Sequence, residues 1–251
     1  AEAKKRVAKS VVRREVVRVV TPGTLTEDAL LPAETSAYLA ALATVSGQMG
    51  LAWVDIATGD FASAPLADLG DLDGLLASLA IKEIIATDQS ETQKILTPLR
   101  LGTCVYSPLP KARFDSQNAE QRLLTHFGIT TLAGLGDFTR AEIAAAGALL
   151  DYVELTQKGK LPRLERLARQ VSSQHLQIDA STIRNLELVI GPDGNRKGSL
   201  LDCIDLSTSR AGARLIGAWL LRPLMDLDKI SARQTAIQFF VDAPLVRQDT
   251  R

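Results

Sequence analysis

Apolar and polar positions change their period several times along the chain. Three short apolar runs follow one another at Tyr38–Val45, Leu51–Ile56 and Phe61–Ala64, separated by Gly47 and Gly50 and then by Thr58-Gly59-Asp60. Short apolar runs bounded by turn residues predict strands, and connections this brief join antiparallel neighbours, so a β-meander is expected. The period then lengthens. Over Asp68–Ala80 the leucines Leu69, Leu72, Leu75, Leu76 and Leu79 recur at three- and four-residue steps, which predicts an amphipathic helix. Glu83–Thr87 (EIIAT) reads as a buried strand, with Asp88 placed to cap a helix running to about Leu96. A short strand is expected at Thr103–Tyr106 and a helix at Ser116–Phe127, where Gly128 offers the left-handed residue that helix ends favour.

The order β-β-β-α-β-α-β-α is an α/β pattern with a mixed sheet. An antiparallel trio followed by strand–helix alternation suggests an RNase H-like topology. From Thr139 the character changes. Thr139 and Glu142 form a capping-box pattern opening the long helix RAEIAAAGALLDYVELTQ, which ends near Gly159 and Pro162. Beyond it the chain reads as mostly helical: Ser181–Leu188, Ser207–Leu221 closed by Pro223, and Ile230–Val241. The turn Gly191-Pro192-Asp193-Gly194 breaks the first of these from the second. Ahead of the meander, Arg13–Val20 is β-branched and strand-like and ends in Thr21-Pro22-Gly23-Thr24, after which a polar linker carries Pro32. The expected units are residues 1–23, an α/β domain at 24–165, and the start of an all-α domain at 166–251.

Composition narrows the picture. Aromatics are only 4% of the 251 residues against 46% hydrophobic, so the core must be aliphatic. Formal net charge is zero, without the basic excess of a free-standing nucleic-acid binder. The first twenty residues are locally basic through Lys4, Lys5, Arg6, Lys9, Arg13, Arg14 and Arg18, which admits a solvated surface or a direct DNA contact. Cys104 and Cys203 form no CxxC pair, as expected of buried thiols in a reducing cytoplasm. No apolar run approaches the roughly 18 residues of a membrane span. Opening on Ala1 rather than Met, the chain reads as an internal stretch of a longer polypeptide.

Between Leu176 and Phe240 stand Asp179, Thr182, Arg184, Asn185, Leu186 and Glu187; Gly198, Ser199, Leu200 and Leu201; Gly212, Arg214 and Leu215; Trp219, Leu220, Pro223 and Leu224. This pattern closely resembles the opening of the core domain in the MutS family of DNA mismatch-repair proteins. Arg18–Thr24 resembles that family's exit from its mismatch-binding domain, and Val54–Phe61 its first connector hairpin. The resemblance implies a connector domain followed by the start of the core, or lever. It implies coupling of mismatch recognition to a distant ATPase, docking of a MutL-type protein, contact with mismatched duplex DNA through the intact protein, homodimerisation of that protein, and a bacterial cytoplasmic setting. The family's mismatch wedge would lie before residue 1. Its ATP- and magnesium-binding elements and its DNA clamp would lie after residue 251, leaving this chain with no cofactor and no catalytic residue of its own.

Within that frame Gln117, Gln121 and Arg122, on the polar face of the Ser116–Phe127 helix, are the docking candidates. Asp179, Arg184, Asn185, Glu187 and Arg214 are the structural coupling candidates; Arg184, Asn185 and Glu187 lie on a short helix near the domain junction, where a buried charged network is expected. The linker around Pro32 and the stretch Lys158–Leu164 are the expected hinges. A competing reading makes Asp55, with Asp88 as second carboxylate, the centre of a metal-dependent nuclease or phosphotransferase, since such chemistry needs clustered carboxylates. Gly191–Ser199 resembles a phosphate loop only superficially, because Gly198 separates Lys197 from Ser199; Ser199 is better read as a helix cap. His126 sits at a helix end, where a protonated imidazole would favour the dipole, and neither it nor His175 has metal-ligand company. Trp53 and Trp219 are expected in the core.

Overall fold

A computed structural model describes residues 19–24, 38–79, 81–97, 99, 104–158, 162–170 and 175–249. Strands β1 (Tyr38–Val45), β2 (Gln48–Asp55) and β3 (Phe61–Leu66) form the expected meander. β1 and β2 pair antiparallel with Tyr38 opposite Asp55, and the turn between them places Ser46 and Gly47 at positive φ. β4 (Ile81–Thr87) lies parallel to β1, and β5 (Val105–Leu109) parallel to β4. A two-residue strand β6 (Ala168–Arg169), absent from the expected pattern, adds to β3. The sheet is mixed, in the order β5-β4-β1-β2-β3-β6.

Strand alternation divides the core in two. Leu39, Ala41 and Ala43 of β1 face one side, with α3 (Ser116–Phe127) and α4 (Arg140–Thr156) packed on it. Ala40 and Leu42 face the other, which Leu72 of α1 (Leu69–Ser78) and Leu96 of α2 (Ser90–Leu96) cover. The aliphatic, alanine-rich composition permits close layers. A Cβ on Gly50 of β2 would lie 2.5 Å from the Glu142 nitrogen, so α4 rests almost on the sheet backbone.

Local signals held at most helix ends. Asp68 caps α1, the Thr139–Glu142 capping box forms, and Gly128 takes the left-handed conformation after α3. The Asp88 cap did not form. Gln89 occupies that position with no side-chain bond, because the Asp88 N–H is drawn to the Leu109 carbonyl by the β4–β5 pairing. The strand expected at Thr103–Tyr106 runs at Val105–Leu109 instead, its register set by β4.

The helical part comprises α5 (Ala180–Asn185), α6 (Leu200–Ile204), α7 (Arg210–Leu221), α8 (Leu227–Asp242) and α9 (Pro244–Asp249). Asp179, Ser199, Ser209 and Asp226 cap the first four. Ile183, Leu188 and Leu221 form a small core there, while Leu206, Leu227 and Leu245 are largely exposed. Two core expectations fail in this part. Trp219 is half-buried with the Arg233 guanidinium 3.9 Å over its ring, and Cys203 is exposed; Trp53, by contrast, is fully buried. The expected Arg13–Val20 strand falls mainly outside the described residues, and its last two, Val19 and Val20, lie in no strand. The basic first stretch and the Pro32 linker also lie outside them.

Candidate functional site

Polar side chains concentrate where the sheet meets its neighbouring segments. Glu83 projects from β4 and is wholly buried, an unusual position for a carboxylate in an aliphatic strand. Four donors surround it. Oε2 accepts from Thr21 Oγ1 at 2.5 Å and from the Gly23 N–H at 3.0 Å. Oε1 accepts from Ser107 Oγ of β5 at 2.6 Å and from the Tyr152 hydroxyl of α4 at 2.8 Å. That many donors match the acceptor capacity of one carboxylate and offset the cost of burying it. Burial, and then the bond to Glu83, push the Tyr152 phenol up to about 12. The Thr21–Thr24 turn closes on itself, its Thr24 side is buried, and a Cβ on Gly23 would strike Leu39 and Glu83 at 2.8–2.9 Å. The Val19 N–H reaches the Thr156 carbonyl at the end of α4, at 2.8 Å. The segment 19–24 is therefore fastened to β4 and α4.

A second junction lies on the opposite face. Arg222, just after α7, donates to the Gln170 side chain beyond β6 and holds its guanidinium 5.9 Å from the Trp53 ring centroid. The Leu176 N–H donates to the Pro223 carbonyl at 2.8 Å, and Gln177 Nε2 to Asp71 of α1 at 3.2 Å. A small cavity of about 40 Å³ lies between these groups, lined by Ser78, Gln170, His175, Gln177 and Arg222 among others. Burial lowers the Arg222 pKa; burial, then Arg222, Lys229 and Arg233, bring His175 down to about 4. Near the start of α4, Glu142 is also fully buried. It accepts from the Thr139 N–H, Ser63 Oγ of β3 and Arg169 Nε of β6.

The docking candidates separate. Gln117 and Gln121 are exposed on α3. Arg122 is not free: it donates to the Gly147 carbonyl at 2.9 Å and pairs with Asp151 of α4 at 3.2 Å, where Arg113 also pairs. Arg122 thus fixes α3 on α4, because close helix packing places an acceptor within its reach. His126 departs from the dipole argument as well, since partial burial lowers its pKa and disfavours the charged form.

The coupling candidates do not form a buried network. Asp179 is exposed and caps α5, with hydrogen bonds from Ser181 and Thr182 holding its carboxyl well below the usual range. Arg184 and Asn185 are exposed, and Glu187 and Arg214 half-buried. The short α5 turns only Ile183 inward, so its polar residues face out.

Asp55 does not collect partners for a metal. It is buried, and its Oδ1 accepts from the N–H groups of Ala57 at 2.9 Å and Thr58 at 3.4 Å, forming the β2–β3 turn. Asp60 accepts instead from the Tyr38 hydroxyl, and Asp88 is exposed. Among the described residues no group of three His, Cys, Asp or Glu could hold a metal. Gly191–Ser199 closes on its own backbone between α5 and α6, and Ser199 caps α6 as expected.

Glu83 and Arg222 do not stand out in the residue pattern as interaction centres, and Glu142 stands out there only as a helix cap. For Glu83 a signal existed: an acidic residue inside the apolar strand IKEIIAT demands buried donors.

Comparison with known proteins is consistent across the chain. A family model for MutS domain II matches residues 37–165, and one for MutS domain III matches residues 181–251. The DNA mismatch repair protein MutS of Cereibacter sphaeroides is 47% identical over 251 residues, covering 100% of this chain and 28% of that protein. The MutS proteins of Ruegeria pomeroyi and Paracoccus denitrificans are 46% and 45% identical, again over 100% of this chain and 28% of their own length.

Proposed function

From the premise that this chain belongs to the MutS family of DNA mismatch repair proteins, we propose that it is the connector-and-lever segment of such a protein. Its role is mechanical: it couples mismatch recognition to an ATPase and presents a docking surface to a MutL-type partner. We assign residues 1–23 to the end of a mismatch-binding domain, 24–165 to an RNase H-like connector and 166–251 to the start of the core. Mismatched duplex DNA, homodimerisation, and ATP with magnesium belong to the intact bacterial protein, working in the cytoplasm, with the nucleotide site outside this chain. The strand order β3-β2-β1-β4-β5, with helices on both faces, supports the RNase H-like assignment.

One observation carries the mechanical reading. The α/β unit is fastened to the segment before it by the bonds on buried Glu83, and it meets the segment after it through the Arg222 guanidinium beside Trp53 and the Gln177–Asp71 bond. A unit held at both ends passes displacement on, because packed elements shift as bodies rather than deform continuously. The nuclease reading built on Asp55 gains no support, since that carboxylate is spent on a turn.

The docking part is tested by capture of a MutL-type protein on mismatched duplex with ATP, using the intact parent protein. Gln117→Glu with Gln121→Glu alters the exposed face without touching the Arg122–Asp151 pair. Capture is expected to fall at least about tenfold, as loss of central interface contacts does. Capture at the wild-type level, with mismatch binding intact, overturns the docking assignment.

A further inference from the structure

The Glu83 carboxylate divides its bonds by oxygen atom. Oε2 holds the segment 19–24, through Thr21 and Gly23. Oε1 holds Ser107 and, through Tyr152, helix α4. The residue preceding Tyr152 is Asp151, which pairs with Arg122 of α3. α3 and α4 are packed so closely that a Cβ on Gly147 would lie 2.3 Å from the Ala119 Cβ. The segment also bonds α4 directly, one turn beyond Tyr152, from the Val19 N–H to the Thr156 carbonyl. Among the described residues, no hydrogen bond joins 19–24 to α1 or α2, which cover the other face of the sheet.

We propose that Glu83 is a positioning residue that relays displacement of the segment 19–24 selectively to α4 and α3, and not to α1 and α2. This deepens the coupling role proposed above and rests on it for its biological meaning. The physical basis is the sharing of one carboxylate. If Thr21 and Gly23 withdraw, Oε2 is left buried without donors, and a buried unpaired carboxylate is costly. The side chain must then turn towards other donors, which disturbs the Tyr152 bond and the helix carrying it. Low local dielectric strengthens such chains of hydrogen bonds, so the loss of one member is felt by the next.

The test is native-state hydrogen exchange on the full 251-residue chain, comparing wild type with Thr21→Val, Tyr152→Phe and the double variant. Thr21→Val keeps the side-chain shape and removes only the hydroxyl. Relay action predicts that Thr21→Val speeds exchange in α3 at least about fivefold while α1 and α2 stay within about twofold. In the Tyr152→Phe background the same substitution then adds no further effect on α3. A merely structural bond would loosen 19–24 alone, or would loosen both faces of the sheet alike; either result overturns the relay, as does a full Thr21→Val effect on α3 when Tyr152 is already Phe. The capture experiment above remains separate. If α3 responds to Thr21→Val but capture ignores Gln117 and Gln121, the relay stands and the docking assignment falls.

Discussion

Gly147 tests the idea that close packing of α3 on α4 sets the stability and position of the docking face. Gly147→Ala adds a Cβ that would meet the Ala119 Cβ at 2.3 Å, its Cα at 2.5 Å and its carbonyl carbon at 3.1 Å. Carbon atoms settle at about 3.5–4.0 Å, so the helices must separate by roughly 1 Å or more. Two effects oppose each other. Alanine in a helix interior is favoured over glycine by about 1 kcal/mol. Overpacking a close contact costs about 1–3 kcal/mol, and the upper end applies here because the obstructing atoms are largely backbone. Separation also stretches the bond from Arg122 to the Gly147 carbonyl, now 2.9 Å. A net destabilisation of about 2 kcal/mol is expected, seen as a fall of about 4–8 °C in the thermal midpoint followed by circular dichroism. Ala119→Gly does not rescue the variant, because the Cα at 2.5 Å remains in the way. Stability at or above wild type for Gly147→Ala would show that intrinsic helix preference outweighs the helix–helix contact, and would refute the packing argument.

Other consequences are open to measurement. Glu142→Ala removes the capping-box acceptor and strands Ser63 and Arg169. A lost cap costs about 1 kcal/mol; an uncompensated buried charge costs about 3–5 kcal/mol, discounted here because the Arg169 side chain is 26% exposed. Urea titration should thus show a loss of about 2–4 kcal/mol, and a change below about 1 kcal/mol would remove Glu142 from the set of structural anchors. His175 has a folded-state pKa lowered to about 4 from 6.5, by burial and then by Arg222, Lys229 and Arg233. The unfolded chain therefore binds its proton first on acidification. The contribution of neutral His175 is complete above pH 6.5 and is lost as pH falls towards 4. Urea midpoints measured across that window should decline less steeply for His175→Gln, and parallel curves for the two proteins would contradict the assignment.

How much could be read beforehand depended on the range of each interaction. The meander, the helix over Leu69–Ser78, the Thr139–Glu142 box and the Gly128 terminus all rest on residues within one turn or one pleat of each other. Their partners are fixed by the covalent chain, so the pattern of residue types suffices. The family pattern from Asp179 to Leu224 was legible for the same reason, as a local string of residues. Its polar members were misjudged, because burial of Arg184 and Asn185 depends on which face of α5 meets the rest of the molecule. Arg122 was misread in the same way. Sequence showed it on a polar helix face, but not that Asp151 and the Gly147 carbonyl would come to that face.

The alternation of strands and helices, most of their caps and the aliphatic character of both core faces follow from local residue pattern, since period and turn chemistry act over a few residues. What the buried charges do is set by contacts between distant parts of the chain. Thr21 meets Glu83 across 62 positions, and Ser63 meets Glu142 across 79. Such pairings follow from strand order and layer packing, and electrostatics in a buried, low-dielectric setting makes them matter more than their number suggests.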